Sequence, residues 1–201
     1  MKKVDSERCT RNRGGCEHNG GPLFIVHSSM STEVRTLIVG YGNPLRSDDG
    51  FGWHAGRMLA QALAGQDAEV MTCHQLTPEL AESLSQCGRA VFIDADVEGE
   101  PGAIHRRSIV PEVPPSSAFT HTCNPSGLLA SAQHLYGHHP VSMAITVSAQ
   151  SFEFGDTLSP AVSAALPEVV DQVCQWVRLK EPNSSRVEST SPRGNPSFVD
   201  V

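Results

Sequence analysis

The stretch from Leu37 to Gly56, LIVGYGNPLRSDDGFGWHAG, constrains the fold of this chain more than any other. An apolar run, Thr36 to Val39, breaks into Gly40, Gly42 and Asn43, and the adjacent carboxylates Asp48 and Asp49 then meet the start of an amphipathic segment. Glycines permit positive φ and a close approach of the backbone to whatever lies above the turn. Pro44 stiffens that turn, and acids are favoured at the positive end of a helix. Phe51, Ala55, Met58, Leu59, Ala62 and Leu63 share one face at helical spacing, which predicts a helix from about Asp49 to Ala64 closed by Gly65. Strand, glycine turn, acidic pair and helix together make the opening unit of an α/β layer fold.

The alternation continues along the chain. Val34 to Gly40 reads as the first strand, Glu69 to Thr72 as a short second one, and Ala90 to Ile93 as a buried strand running directly into Asp94. A further strand is expected near Ala103 to Val110, carrying Arg106 and Arg107, and the last at Val141 to Val147. Thr77 and Pro78 suit the N-cap and first position of a helix that buries Leu80, Ala81 and Leu84. Asn124 and Pro125 do the same for a helix with an apolar face of Leu128, Leu129, Ala132 and Leu135, closed by Gly137. Ser159-Pro160 opens a C-terminal helix to about Leu179, which Pro167 is expected to kink or restart. The predicted fold is α/β, a three-layer α/β/α sandwich with a mostly parallel, mixed central sheet.

This domain should span residues 34–179. Residues 1–33, glycine-rich and aperiodic, read as a flexible extension, with Met30 as an alternative start, and 180–201, rich in Ser and Pro, as a disordered tail. A net charge of -7 and 5% aromatic residues argue against a nucleic-acid partner, which needs clustered Lys and Arg and stacking surfaces. No apolar run approaches the roughly 20 residues of a membrane span, and the polar residues after Lys2-Lys3 are not a signal-peptide core, so the expected location is cytoplasmic. The six cysteines form no C-x-x-C pair and read as reduced thiols, and Cys9, Cys16 and His18 fit no common zinc pattern.

In open α/β sheets, ligands bind in the crevice beyond the carboxyl ends of the strands. Asp49 follows the first strand, Asp94 ends a central one, and His121 stands in the loop before the Asn124 helix, so the three can converge on one rim. Two carboxylates and an imidazole form an oxygen and nitrogen set acceptable to nickel, zinc or iron(II), with a coordination position left open. Each residue also has a plainer reading. Asp48 and Asp49 suit a solvated helix start, a loop histidine is commonly a surface residue, and His74 is a second imidazole near the same rim.

The motif GYGNPLRSDDGFG resembles the signature of the hydrogenase maturation proteases, endopeptidases that trim the large subunit of nickel-iron hydrogenases. The likeness extends through QLTPELAE, Asp94-Ala95, Thr120-His121 with Pro125, and SFEFGDTLSPAV, covering roughly Val34 to Val177. The resemblance implies an endopeptidase that removes the C-terminal extension of a nickel-loaded large-subunit precursor. Asp49 and Asp94 would be catalytic, and Asp49, Asp94 and His121 would recognise nickel carried by the substrate and not held as a permanent cofactor. Neither H-E-x-x-H nor G-x-S-x-G occurs. Two further readings stand beside this one: a non-catalytic nickel-binding checkpoint or chaperone with the same ligands, and a nucleotide-binding module using the glycine turn.

Overall fold

The computed structural model describes residues 35–112 and 123–179; the expected extension 1–33 and tail 180–201, together with Thr120 and His121, lie outside the described residues. Five strands are described: β1 (Thr36–Tyr41), β2 (Ala68–Cys73), β3 (Arg89–Asp96), β4 (Ile104–Ile109) and β5 (Val141–Ser148). They form one sheet in the order β2-β1-β3-β5-β4, parallel except for β4, which runs antiparallel to β5. Helices α1 (Phe51–Ala62) and α4 (Pro160–Arg178) cover one face, and α2 (Leu80–Ser85) and α3 (Pro125–Tyr136) the other. This is the predicted three-layer α/β/α sandwich with a mixed sheet.

Both faces of the central strands are buried, which is why they are apolar runs without alternation. Ile38, Val91, Ile93 and Ile145 pack beneath Phe51, Leu59, Val169 and Val173, while Leu37, Val39 and Phe92 pack beneath Leu84, Leu128 and Leu129. Phe51 and Phe92 are almost wholly shielded from water. Each such side chain stabilises the fold by about 1.5–3 kcal/mol relative to exposure.

The helices differ from expectation in instructive ways. The two acids precede α1, in a 3-10 turn over Ser47–Gly50. Met58 and Ala62, expected to be buried, are exposed. The packed stripe is instead shifted towards Gly52 and Gly56, whose missing side chains let α1 lie directly on the sheet. A Cβ on Gly52 would stand 2.3 Å from the Ile93 carbonyl oxygen and 2.4 Å from that of Tyr41. Regular winding of α2 begins at Leu80, after a tighter turn in which the Leu80 and Ala81 amides donate to Thr77 and Pro78 oxygens. The Asn124 cap of α3 is as predicted: its Oδ1 accepts from the Gly127 amide at 2.7 Å, and Gly137 closes the helix at φ 75°. Burial on α3 stops at Ala132, leaving Leu135 exposed. Helix α4 runs unbroken through Pro167, because a buried stripe on both sides of it, Val162 and Ala165 before, Val169 and Val173 after, holds the helix to the sheet.

Candidate active site

From β1 the chain moves outward to β2, whereas β3 lies on the opposite side of β1 and continues the sheet towards β5. The carboxyl ends of β1 and β3 therefore flank the switch point where ligands bind in such sheets. Pairing of β1 with β3 ends at Gly40 and Ile93, so Tyr41 and Asp94 are the next residues on each strand. Strand β3 continues beside β5 as far as Asp96, two residues beyond Asp94, because Asp94 and Asp96 pair with Thr146 and Ser148. Asp94 thus lies within β3, just past the point where its pairing with β1 has ended.

The glycine turn after β1 brings Asp49 to the same edge. Gly42 has φ 124°, a conformation L side chains rarely adopt, and a Cβ there would stand 1.8 Å from the Asp49 carbonyl oxygen. The turn can then fold back, and the Asn43 amide donates to Asp49 Oδ2 at 3.0 Å. That amide is one a bound phosphate would need, so the nucleotide reading loses support.

Asp94 is half-buried, and its environment sets its acidity. Burial pushes its carboxyl up to about 6; the Ala95 amide and the Tyr41 hydroxyl pull it down, and the charges of Asp49 and Asp96 push it up. Its Oδ1 accepts from the Ala95 amide at 2.8 Å. The same place raises its neighbours: burial and then Asp94 push up the Tyr41 phenol and the Cys73 thiol. Paired register sets Cys73 beside Tyr41 and Asp94 beside Thr146. Sequence reasoning missed Tyr41 and Cys73, although their place at the ends of the first two strands was the signal.

The plainer reading of Asp48, a solvated helix start, does not hold. Asp48 is fully buried, and its carboxylate accepts from the backbone amides of Ser159 (2.6 Å), Gln150 (2.8 Å) and Ser151 (3.0 Å). Burial alone would raise its pKa, but those donors outweigh burial and hold it below the usual carboxylate range. Asp48 therefore clamps the glycine turn to the segment after β5, which leaves Asp49 as the acid that faces the edge.

Among the described residues no three His, Cys, Asp or Glu side chains form a metal-holding group. Asp49 and Asp94 supply two carboxylates, and His121 lies outside the described residues. His74 follows β2 as an exposed side chain.

No protein-family model and no curated protein matches the sequence. Solved structures do. The NiFe hydrogenase maturation protease HycI of Thermococcus kodakarensis KOD1 aligns over 74% of this chain and 95% of its own, with a TM-score of 0.60 at 18% identity. The hydrogenase 2 maturation peptidase of Thaumarchaeota archaeon SCGC_AB-539-E09 covers 73% of this chain and 99% of its own, with a TM-score of 0.55 at 25% identity. The chain has the fold of the hydrogenase maturation proteases. The maturating endopeptidase HybD of Escherichia coli repeats the likeness, with a TM-score of 0.57 at 22% identity over 72% of this chain and 92% of its own. No helix among the described residues is long and apolar enough to cross a membrane.

Proposed function

We propose that this protein is an aspartic-type endopeptidase that removes the C-terminal extension of a nickel-loaded NiFe hydrogenase large-subunit precursor. The observation that carries this reading is the approach of Asp49 and Asp94 at the switch point of a maturation-protease fold, close enough for the charge of Asp49 to raise the Asp94 carboxyl. A carboxyl titrating near 6 is matched to proton exchange near neutrality. As a carboxylate, Asp94 takes a proton from the attacking water, and as an acid it returns the proton to the leaving amide nitrogen. Asp49, held by the Asn43 amide, fixes the second carboxylate against the same peptide.

The substrate's nickel is the feature that the two carboxylates and His121 recognise. Hard oxygen donors with an imidazole suit such a divalent ion, and a cation beside Asp49 and Asp94 relieves their mutual repulsion. The cut would then follow metal insertion into the precursor and would not precede it.

The test is a cleavage assay by intact mass on a large-subunit precursor, with and without nickel, using the native protein and Asp94→Asn. The expected outcome is loss of a C-terminal peptide only with nickel and only with Asp94 intact. Nickel-dependent complex formation without a cut, on a precursor that a known active protease does cut, would instead establish the checkpoint role.

A further inference from the structure

Beside the candidate site the chain carries two large, exposed apolar side chains on hydrogen-bonded backbone. The glycine turn and the segment after β5 are laced together: the Ser47 amide donates to the Gly155 oxygen (2.9 Å) and the Gly155 amide to the Leu45 oxygen (3.1 Å). Arg46 Nε donates to the Phe152 oxygen at 3.2 Å, and Ser47 Oγ to the Glu153 oxygen at 3.1 Å. On this frame Leu45 is 62% exposed and Phe154 91% exposed. Arg46 and Gly155 form a parallel bridge, so Leu45 and Phe154 occupy neighbouring register positions.

Single exposed apolar residues are ordinary on a protein surface. This pair differs in three respects. Its backbone is already ordered by the lacing bonds and the buried Asp48 clamp, so a partner would not have to order it on binding. Its Leu45 stands on the same turn that carries Asp49. The pair also has two exposed acids beside it in the chain, Glu153 and Asp156, while the Nε of the neighbouring exposed cation, Arg46, donates to the Phe152 carbonyl. An aromatic anchor on a hydrogen-bonded frame, with an acid before it and another two residues after it, fits a polypeptide segment with an apolar side chain between lysines or arginines.

We propose that Leu45 and Phe154 form the docking platform for the precursor, engaging an apolar segment flanked by basic residues while the scissile region lies across Asp49 and Asp94. This rests on the peptidase reading above. Docking energy so placed acts on substrate capture and leaves the chemical step alone.

The test is steady-state cleavage of the full-length precursor by the full chain, with the double variant Leu45→Ser/Phe154→Ser and, separately, Glu153→Lys/Asp156→Lys. The expected result for both is a KM raised by about tenfold or more with kcat unchanged, as for loss of a hot spot, and an unchanged melting temperature. The native KM should also rise with salt, and that of the charge-reversed variant should not. Should the double variant fail to fold, Phe154→Ala and the charge pair decide the matter by the same KM measurement. An unchanged KM in folded variants overturns the platform and leaves the peptidase reading intact. So does a native dimer in sedimentation that the variant loses, since the pair would then be covered by a second copy. A native protein that neither binds nor cuts a competent precursor overturns both.

Discussion

Asp48 and Asp94 stand near one another at the carboxyl edge of the sheet, and the chain treats them in opposite ways. Asp48 is the more buried, yet its carboxyl is held below the ordinary range, because three backbone amides converge on it. Asp94 is only half-buried, yet it is pushed up to about 6 by burial, with the Ala95 amide and the Tyr41 hydroxyl set against two neighbouring acids. Burial pushes both acids up; at Asp48 the amides outweigh it, and at Asp94 the Ala95 amide and the Tyr41 hydroxyl do not. An anion fully served by amides is architecture. An anion left short of donors retains affinity for a proton or a cation, which is the property a reactive site needs.

The largest expected effect tests the architectural half. Asp48→Ala leaves the Gln150, Ser151 and Ser159 amides facing a buried void, a loss of about 3 kcal/mol or more. Urea unfolding at about pH 7 measures it, and a loss below about 1 kcal/mol would break the contrast. Because the folded pKa lies below the ordinary 3.8, the stability due to Asp48 is present above that value and is lost as pH falls through the folded pKa. The gap between native protein and variant should accordingly narrow in acid.

The reactive half has the opposite sign. Asp94 rises from 3.8 to about 6 on folding, so between those values the folded state binds the extra proton. Stability attributable to Asp94 is then fully present below the unfolded value and is lost as pH rises through about 6. The difference of roughly two pH units corresponds to an upper bound of about 3 kcal/mol. Metal-free Asp94→Asn should therefore be more stable than the native protein by about 1–3 kcal/mol at pH near 7.5, with the gain fading towards pH 4. The same variant should lose cleavage, giving a more stable and inactive protein. Equal stability at both ends of that pH range would remove the case for a strained acid.

Much of this arrangement was legible in the sequence. The apolar runs of β1, β3 and β5, the Asn124-Pro125 helix start and the glycine turn each have a local cause that tertiary packing did not override. The errors arose where a distant partner decided the outcome. Asp48 and Asp49 are adjacent and chemically identical; what separates them is a set of amides more than a hundred residues away, which no local pattern encodes. Met58 was misplaced because Gly52 and Gly56 turn α1 towards the sheet by what they lack, and a periodicity of apolar residues gives glycine no weight. Pro167, expected to kink or restart α4, does not restart it: the helix continues from Pro160 to Arg178, with a buried stripe on both sides of the proline.

The smallest predicted effect sharpens the contrast most, because it asks what holds Asp94 up. Asp49 acts on it as a like charge and the Tyr41 hydroxyl as a donor. Asp49→Asn removes the charge and keeps an oxygen able to accept the Asn43 amide, so the turn should persist. Followed by carboxyl-carbon NMR on metal-free protein, the Asp94 midpoint should fall below about 6 in Asp49→Asn and rise above it in Tyr41→Phe. Opposite movements would show that a neighbouring acid and a neighbouring phenol set the acidity of one carboxyl between them. If Asp49→Asn leaves the midpoint where it was, the two carboxylates do not sense each other, and the pairing on which the peptidase reading depends would fail.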